Sequence, residues 1–290
     1  MKKCIVIIPV YNPHPEITEK ASFRQTLRVL HKFDTCIVTH ARCSLSTYQS
    51  IAEKENRTFD IQLFESKYFE SVSGYNDLCM SIEFYKRFDD YRYMLICQLD
   101  AWVFSDQLDY WCDKGYDYIG APIYYPHNDK QFTNILFGVG NGGFSLRKIS
   151  HCQKIISRSH RLPLLKPSEL VRIYWYQGCY FDYFKKSPLR WLRIIPTVII
   201  KCFGITNNIH YYIQKHLNED LIFGQWSCRS WGCHSHIPDE YEASHFAFEV
   251  HPSMLFKKNG KLPFGCHAFM KWEYDSFWKQ HININESIDE

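Results

Sequence analysis

The sequence YMLICQLDAWVF, residues 93–104, places a carboxylate within a run of strand-forming residues. Apolar residues lead up to Gln98 and Asp100, and the apolar run resumes at Trp102. An ionised carboxylate in such a run is costly to desolvate unless it is paired or binds a cation. Two interpretations follow: Asp100 ends the strand in water and caps the next segment, or it is a ligand residue at the carboxyl end of a strand, where open α/β sheets bind their ligands.

Short strand-like runs alternate with helix-like segments through the first half of the chain, which predicts an α/β fold with a mostly parallel sheet. The first strand, KCIVIIPVYN, is apolar on both faces and should be central. Residues 93–104 form the fourth strand of this pattern. The other predicted strands are 34–40, 59–65 and 116–124, and the predicted helices are 16–31, 44–54 and a segment that Ser73 caps or precedes. The pattern turns helical over 167–217, which predicts a helical insertion in the C-terminal half.

The composition is that of a globular protein: 290 residues, 46% hydrophobic and 22% charged. A formal net charge of +3 gives no argument for nucleic acid as a partner. No secretion signal opens the chain, and no apolar run is long enough to span a bilayer. We therefore expect a cytoplasmic protein whose 12 cysteines are reduced thiols.

Two further segments stand out. ILFGVGNGGFSLRK, residues 135–148, has four glycines in six positions, which indicates a bend where backbone approaches something closely. A β-bulge that curves the sheet is the alternative.

The other segment, Cys228 to His236, holds Cys and His without the paired spacing of structural zinc sites. We therefore expect core and loop residues there, with a structural zinc site as the alternative.

Five motifs, in order, resemble those of nucleotide-sugar glycosyltransferases with the GT-A fold: IIPVYN, ICQLDAW, GNGGFSLR, NEDLIFG and PFGCHAF. Within that class the chain is similar to a bacterial glycosyltransferase-like family found in surface polysaccharide gene clusters. The resemblance covers roughly residues 3–270. It implies a GT-A-like domain over 1–270, with a nucleotide-binding half at 1–125, an acceptor half at 126–270 that contains the insertion 167–217, and a C-terminal tail at 271–290. A helix and a frayed end are expected in that tail.

The resemblance also implies roles for particular residues. Asp100 would hold Mn²⁺ or Mg²⁺ against the diphosphate of a nucleotide sugar, most naturally a UDP-sugar, with His267 as a second ligand. The first acid of the usual DxD motif is Gln98 here, so the need for a metal is open. The other donor contacts would be Tyr11 on the base, Asn76 on the nucleotide, and Gly142 and Gly143 on the sugar.

On the acceptor side, Asp220 would be the general base of an inverting transfer, and Asn141 would bind the acceptor. Glu219 could be the base instead, or could bind the acceptor. Each assignment has a structural alternative: the two acids favour a helix N-terminus, Tyr11 is a core or rim residue, and His267 is simply hydrogen-bonded.

Residues 183–204 join Lys185, Lys186, Arg190, Arg193 and Lys201 to Trp191 and a dense set of aliphatic residues. This mixture is typical of a segment at an anionic membrane surface. We expect peripheral docking on the inner face of the cell membrane, where the acceptor would be a glycan or a lipid-linked glycan. The alternative is a helical hairpin packed on the core, with its lysines in water.

Two other functions compete with glycosyl transfer. A sugar nucleotidyltransferase usually needs a glycine-rich loop after the first strand, whereas this strand runs into Tyr11-Asn-Pro-His-Pro15. A non-catalytic carbohydrate-binding or zinc-stabilised interaction protein would keep the aromatic residues but has no need of Asp100 and Asp220.

Overall fold

The computed structural model describes residues 1–124, 136–176, 190–231 and 234–284. Its centre is a six-stranded sheet in the order β3-β2-β1-β4-β9-β6. The strands are β1 Lys2–Pro9, β2 Asp34–His40, β3 Asp60–Phe64, β4 Tyr91–Cys97, β5 Trp102–Val103, β6 Tyr118–Ile119, β7 Ala121–Tyr124, β8 Leu136–Gly140, β9 Phe144–Lys148, β10 Ala247–Phe248 and β11 Gly265–Cys266.

The sheet is mostly parallel and is covered by helices on its faces. Strands β1 to β4 pair in parallel, and β9 is antiparallel to both β4 and β6. The helices are α1 Ile17–Val29, α2 Ser46–Lys54, α3 Val72–Cys79, α4 Ile82–Lys86, α5 Leu108–Asp113, α6 Ile149–Ile156, α7 Pro167–Tyr176, α8 Arg190–Cys202, α9 Ile209–Gln214, α10 Glu219–Leu221, α11 Ser227–Arg229, α12 Glu240–Phe246 and α13 Pro252–Asn259. Two 3₁₀ turns, Ser66–Phe69 and Trp278–Gln280, and a π-helix, Ile222–Trp226, complete the described elements. The predicted fold class is therefore confirmed.

Strand β1 is central because it buries both of its faces. Val6 and Ile8 pack into the core on one side of the sheet, and Ile5 and Ile7 pack on the other. Such a strand cannot lie at an edge or face water, since each face carries aliphatic side chains that must be covered. The carboxyl ends of β1 and β4 consequently meet at one edge, above a well-packed core.

The fourth strand is shorter than the predicted range 93–104. Strand β4 ends at Cys97, and a turn closed by the Ala101 amide on the Gln98 carbonyl follows, at 3.0 Å. Residues Trp102 and Val103 then leave the main sheet and pair with β11 in a second, three-stranded sheet. The polar residues of the opening motif therefore lie in a turn between two sheets.

The helix predicted to follow Ser73 is also divided. Helix α3 ends at Cys79, and Ser81 caps α4 by accepting a hydrogen bond from the Phe84 amide at 3.2 Å. Within 167–217, helices α7, α8 and α9 agree with the predicted insertion, while residues 177–189 lie outside the described part of the chain.

The described part of the tail, residues 271–284, does not hold the expected peripheral helix. It has a single 3₁₀ turn, and Trp278 in that turn is fully buried, stacked on Phe104 with ring centroids 5.7 Å apart. The division of the chain at residues 125 and 270 stays a prediction.

Candidate active site

The turn Asn141-Gly142-Gly143, between β8 and β9, is the centre of the candidate site. Asn141 adopts the left-handed conformation, with φ 81°, and its side-chain oxygen accepts from the amides of Gly143 and Phe144 at 3.1 Å each. The antiparallel pairing of Cys97 with Phe144 brings this turn beside the end of β4. There the Gly143 carbonyl accepts from the Gln98 amide at 2.8 Å.

A second pairing brings the late loop to the same place. Strand β5 starts two residues after Asp100, and β11 ends one residue before His267. Because Cys266 lies opposite Trp102 in antiparallel register, His267 must lie next to Asp100. The structure thus joins two predicted site residues that are 167 positions apart in the sequence.

The polar groups around His267 form a compact set. Its Nε2 lies 3.3 Å from Asp100 Oδ1 and 3.2 Å from Gln98 Oε1, and its Nδ1 lies 3.2 Å from Glu249 Oε1. Burial alone would lower the pKa of His267, but the Asp100 and Glu249 carboxylates raise it to about 10. The Asp100 side chain remains 49% exposed, so this set is open to a ligand from solution.

The donor atoms of this set suit a divalent cation. Asp100 offers a carboxylate oxygen and Gln98 a carboxamide oxygen, and His267 offers an imidazole nitrogen once a cation displaces its proton. Ligands of these three kinds bind Mn²⁺ in proteins. Glu249 holds the other ring nitrogen of His267, as the outer-shell carboxylates of metal sites do. Among the described residues no group of three or more His, Cys, Asp and Glu side chains is arranged to hold a metal. A cation here would therefore need oxygen atoms from its substrate or from water.

Close packing explains why the turn contains glycine at 142 and 143. A Cβ at Gly143 would collide with His267 Nε2 and would lie 2.7 Å from Gln98 Oε1. A Cβ at Gly142 would collide with the Glu219 carboxylate. No side chain larger than hydrogen fits at either position. The backbone of the turn therefore does approach other groups closely, as predicted, and these groups are polar side chains of the site itself.

Asp220 lies on the other side of the turn. Its Oδ2 accepts from the Asn141 amide at 2.9 Å, while its Oδ1 is inaccessible to water and has no hydrogen-bond partner among the described residues. Burial, and to a smaller extent the charge of the adjacent Glu219, raise the pKa of Asp220 to about 7 against the lowering effect of the Asn141 amide. A carboxyl with this pKa exchanges its proton near neutral pH.

Glu219 is engaged differently, in a buried ion pair. Its Oε1 accepts from Arg147 at 2.8 Å, and the side chains of Arg147 and Glu219 are only 0% and 3% exposed. Arg147 also donates to the Gly142 carbonyl at 3.1 Å and to Ser145 Oγ at 3.0 Å. Glu219 therefore fixes the turn through Arg147, and Asp220 is the carboxylate that has no cationic partner among the residues the structure describes.

The remaining predicted residues lie in contrasting environments. Tyr11 follows β1 and is 61% exposed, as a platform for a ligand ring would be. Asn76 is buried, and its amide donates to Asn218 Oδ1 at 3.1 Å, directly before Glu219. Its described contact is with the loop that carries the acids. Asn141 is likewise buried, and its side-chain oxygen is occupied by the turn.

Sequence reasoning missed Arg147, Glu249 and Gln225. Gln225 is 1% exposed, and neither atom of its side-chain amide has a hydrogen-bond partner in the described structure. The π-helix places the Gln225 side chain against β8, so close that a Cβ at Gly138 would lie 2.9 Å from it. In the same way, a Cβ at Gly140 would lie 3.0 Å from the Asp220 carboxylate. The alternating glycines of β8 were the available signal that polar groups pack there.

The Cys228–His236 segment shows core and loop contacts where it is described. The Cys228 thiol donates to the Gln225 carbonyl at 2.8 Å, and the His236 ring packs on Tyr116 with centroids 4.7 Å apart. Cys233 lies outside the described residues.

The fold and the site define an α/β protein with a carboxylate- and imidazole-lined site at the carboxyl edge of its sheet. The chain belongs to the family described as protein of unknown function DUF5672, whose model matches residues 58–267. No curated protein matches the chain in sequence.

Several solved structures resemble the fold in part. Core-mannan synthase A from Aspergillus fumigatus, in its Mn/GDP form, is 10% identical, with a TM-score of 0.35 and 44% of each chain covered. Staphylococcus aureus TarS 1–349 in complex with UDP-GlcNAc is 14% identical, with a TM-score of 0.34, 52% of this chain and 47% of that chain covered. A cytidylyltransferase from Leptospira borgpetersenii is 9% identical, with a TM-score of 0.34, 55% of this chain and 66% of that chain covered. The chain spans about half the length of the first two.

Proposed function

We propose that this protein is a glycosyltransferase that moves a sugar from a nucleotide-sugar donor to a glycan or lipid-linked glycan acceptor, with inversion at the anomeric carbon. One observation carries the proposal. A single turn, residues 141–143, brings a donor set suited to a cation and a carboxyl with a pKa of about 7 to opposite sides of the same backbone. Inverting glycosyl transfer needs those two functions side by side: charge stabilisation for the leaving diphosphate, and a base for the attacking hydroxyl.

On the donor side, Asp100, Gln98 and His267 would hold Mn²⁺ or Mg²⁺. The bound cation would neutralise charge on the departing nucleoside diphosphate. The Gly143 backbone, packed on Gln98 and His267, would place the donor sugar next to the diphosphate. The exposed Tyr11 ring would stack on the base, for which a UDP-sugar is our first choice.

On the acceptor side, Asp220 would accept the proton of the attacking hydroxyl. The acceptor oxygen forms a bond to the anomeric carbon while the bond from that carbon to the diphosphate oxygen breaks. In one such displacement the configuration inverts. Its pKa of about 7 makes Asp220 a stronger base than an ordinary aspartate, yet leaves it largely ionised just above neutral pH.

The wider role that fits this reaction is hexosyl transfer in bacterial surface polysaccharide synthesis, at the cytoplasmic face of the cell membrane. The resemblance of the five sequence motifs supports that role.

The test is a donor panel with the purified protein. UDP-, GDP- and CMP-sugars are incubated with and without Mn²⁺, and release of the nucleotide is measured by chromatography. We expect one donor to be hydrolysed slowly and Asp220→Asn to suppress the release. A sugar nucleotidyltransferase would instead release pyrophosphate from a nucleoside triphosphate and a sugar phosphate, and a non-catalytic binding protein would release nothing in either arm.

A further inference from the structure

Helix α8, Arg190–Cys202, exposes a stripe of large apolar side chains. Leu192, Ile195, Ile199 and Phe203 are 68%, 52%, 53% and 74% exposed. Their spacing of three, four and four residues places them on one face of the helix and its extension. We call these four residues the α8 stripe. Side chains this large and this exposed, in one contiguous row, mark a surface that contacts something apolar.

The opposite face of α8 anchors the helix to the protein. Ile194 and Val198 are buried in the core cluster on that side of the sheet. Lys201 is also on this face and only 8% exposed; its Nζ donates to the Thr206 carbonyl, and burial lowers its pKa. Of the five basic residues of the predicted membrane segment, Lys201 therefore faces the core. The helix is docked by one face, and its apolar stripe points away from the core.

The charge of the surrounding chain indicates what the stripe contacts. Residues 183–217 contain six Lys and Arg residues and no Asp or Glu, although the whole chain carries a formal net charge of only +3. The segment that carries the stripe is therefore basic in sequence, although Lys201 itself faces the core. Exposed aliphatic and aromatic side chains within a basic segment match an anionic bilayer surface, which takes the apolar groups between its acyl chains and the cations among its headgroups.

We propose that α8 lies in the plane of an anionic membrane, with the α8 stripe inserted at the boundary of headgroups and acyl chains. Ile200 and Ile205, 45% and 64% exposed, widen the inserted surface. None of the helices in the described part of the chain is long and apolar enough to cross a bilayer, and an interfacial helix does not need to be. This docking is independent of the proposed reaction, and it would present the protein to acceptors that reside in the membrane.

Flotation with lipid vesicles tests the proposal. The full chain is mixed with vesicles of phosphatidylcholine alone or with phosphatidylglycerol added, and the floating fraction is measured at low and at high salt. We expect wild type to float with the anionic vesicles only, and less at high salt. The triple variant Leu192→Ser, Ile199→Ser, Phe203→Ser should float at least tenfold less.

The matched control changes three exposed aliphatic residues elsewhere: Ile61→Thr, Leu63→Thr and Val72→Ser, which are 43%, 48% and 76% exposed in wild type. The control should float like wild type, and circular dichroism should show all variants folded. Equal flotation of the stripe variant and wild type overturns the proposal, as does a wild type that stays with the unbound fraction. If wild type is a dimer in size-exclusion chromatography and the stripe variant is a monomer that floats no less, the stripe is an interface between copies of the chain.

Discussion

Replacing Asp220 by asparagine should remove most of the turnover and at the same time stabilise the fold at alkaline pH. The change keeps the shape of the side chain and its ability to accept from the Asn141 amide, now 2.9 Å from Oδ2. It removes the base, so turnover should fall by about two to four orders of magnitude. Donor binding should survive, since the base contacts only the acceptor.

The effect on stability follows from the pKa. An aspartate with a pKa of 3.8 in the unfolded chain and about 7 in the fold binds more protons in the native state between those values. The native state therefore loses stability as pH rises through that window. The loss amounts to about 4 kcal/mol at pH 8 and about 2 kcal/mol at pH 5.5. Asparagine cannot ionise, so the free energy of unfolding of Asp220→Asn should exceed that of wild type by about these amounts at the two pH values.

Thermal unfolding at the two pH values measures this gain. At about 2 °C per kcal/mol for a chain of this size, the variant should unfold about 8 °C higher than wild type at pH 8 and about 4 °C higher at pH 5.5. Asp117→Asn is the control, because the His236 amide and Lys148 lower the pKa of Asp117 against the effect of burial. That variant should be destabilised.

Two results would refute the reasoning about Asp220. A variant that retains near-wild-type turnover with saturating donor and acceptor is one, since Asp220 would then not be the base. A variant that loses turnover with no gain in stability at pH 8 is the other, since the carboxylate would then not be strained by its burial.

Three further predictions concern the groups around the turn. Arg147→Met should destabilise the fold by about 3–5 kcal/mol in denaturant unfolding, because it leaves the Glu219 carboxylate buried without its partner; a loss below 1 kcal/mol would show that the pair is not structural. Gly143→Ala should lower the free energy of unfolding by about 1–3 kcal/mol, because the new Cβ collides with His267. In a thermal-shift assay, UDP with Mn²⁺ should no longer stabilise this variant. The pH dependence of turnover should show an acidic limb near pH 7, with a tenfold fall per pH unit below it, and a limb near pH 4 would contradict the assignment of Asp220.

Much of the sheet could be predicted from the sequence because its strands are short apolar runs with clear limits. The central position of β1 follows from its two apolar faces, and the structure pairs it with β2 on one side and β4 on the other. The break after Cys97 was not predicted. The apolar content of Trp102 and Val103 shows that they form a strand, but local sequence does not tell which sheet a strand joins.

The structure brings several of the predicted site residues together, while their roles stay predictions. Asp100 and His267 were paired through a family resemblance, and the contact between them depends on the register of β5 with β11, which no local pattern encodes. Arg147 makes Glu219 and Asp220 different, because it forms an ion pair with Glu219. That arginine lies in the strand sequence FSLRK, where an alternating strand would be expected to expose it, and only the fold shows that it is fully buried. Residues distant in the sequence bury this charge, so the local sequence cannot predict its burial.

The charges around residues 141–143 explain why the pKa of Asp220 lies near neutral pH, as its proposed role as a base requires. Two adjacent carboxylates, Glu219 and Asp220, are packed under one turn. Within the described structure the buried cation beside them is Arg147, and it bonds to Glu219 and not to Asp220. If Arg147 bonded to both, Asp220 would be stabilised as an anion and would be a weak base. If it bonded to neither, two buried negative charges would oppose folding, at a cost that a marginally stable domain does not sustain. The observed arrangement assigns the structural role to Glu219 and leaves Asp220 with a high affinity for a proton, next to the backbone that also contacts Gln98 and His267.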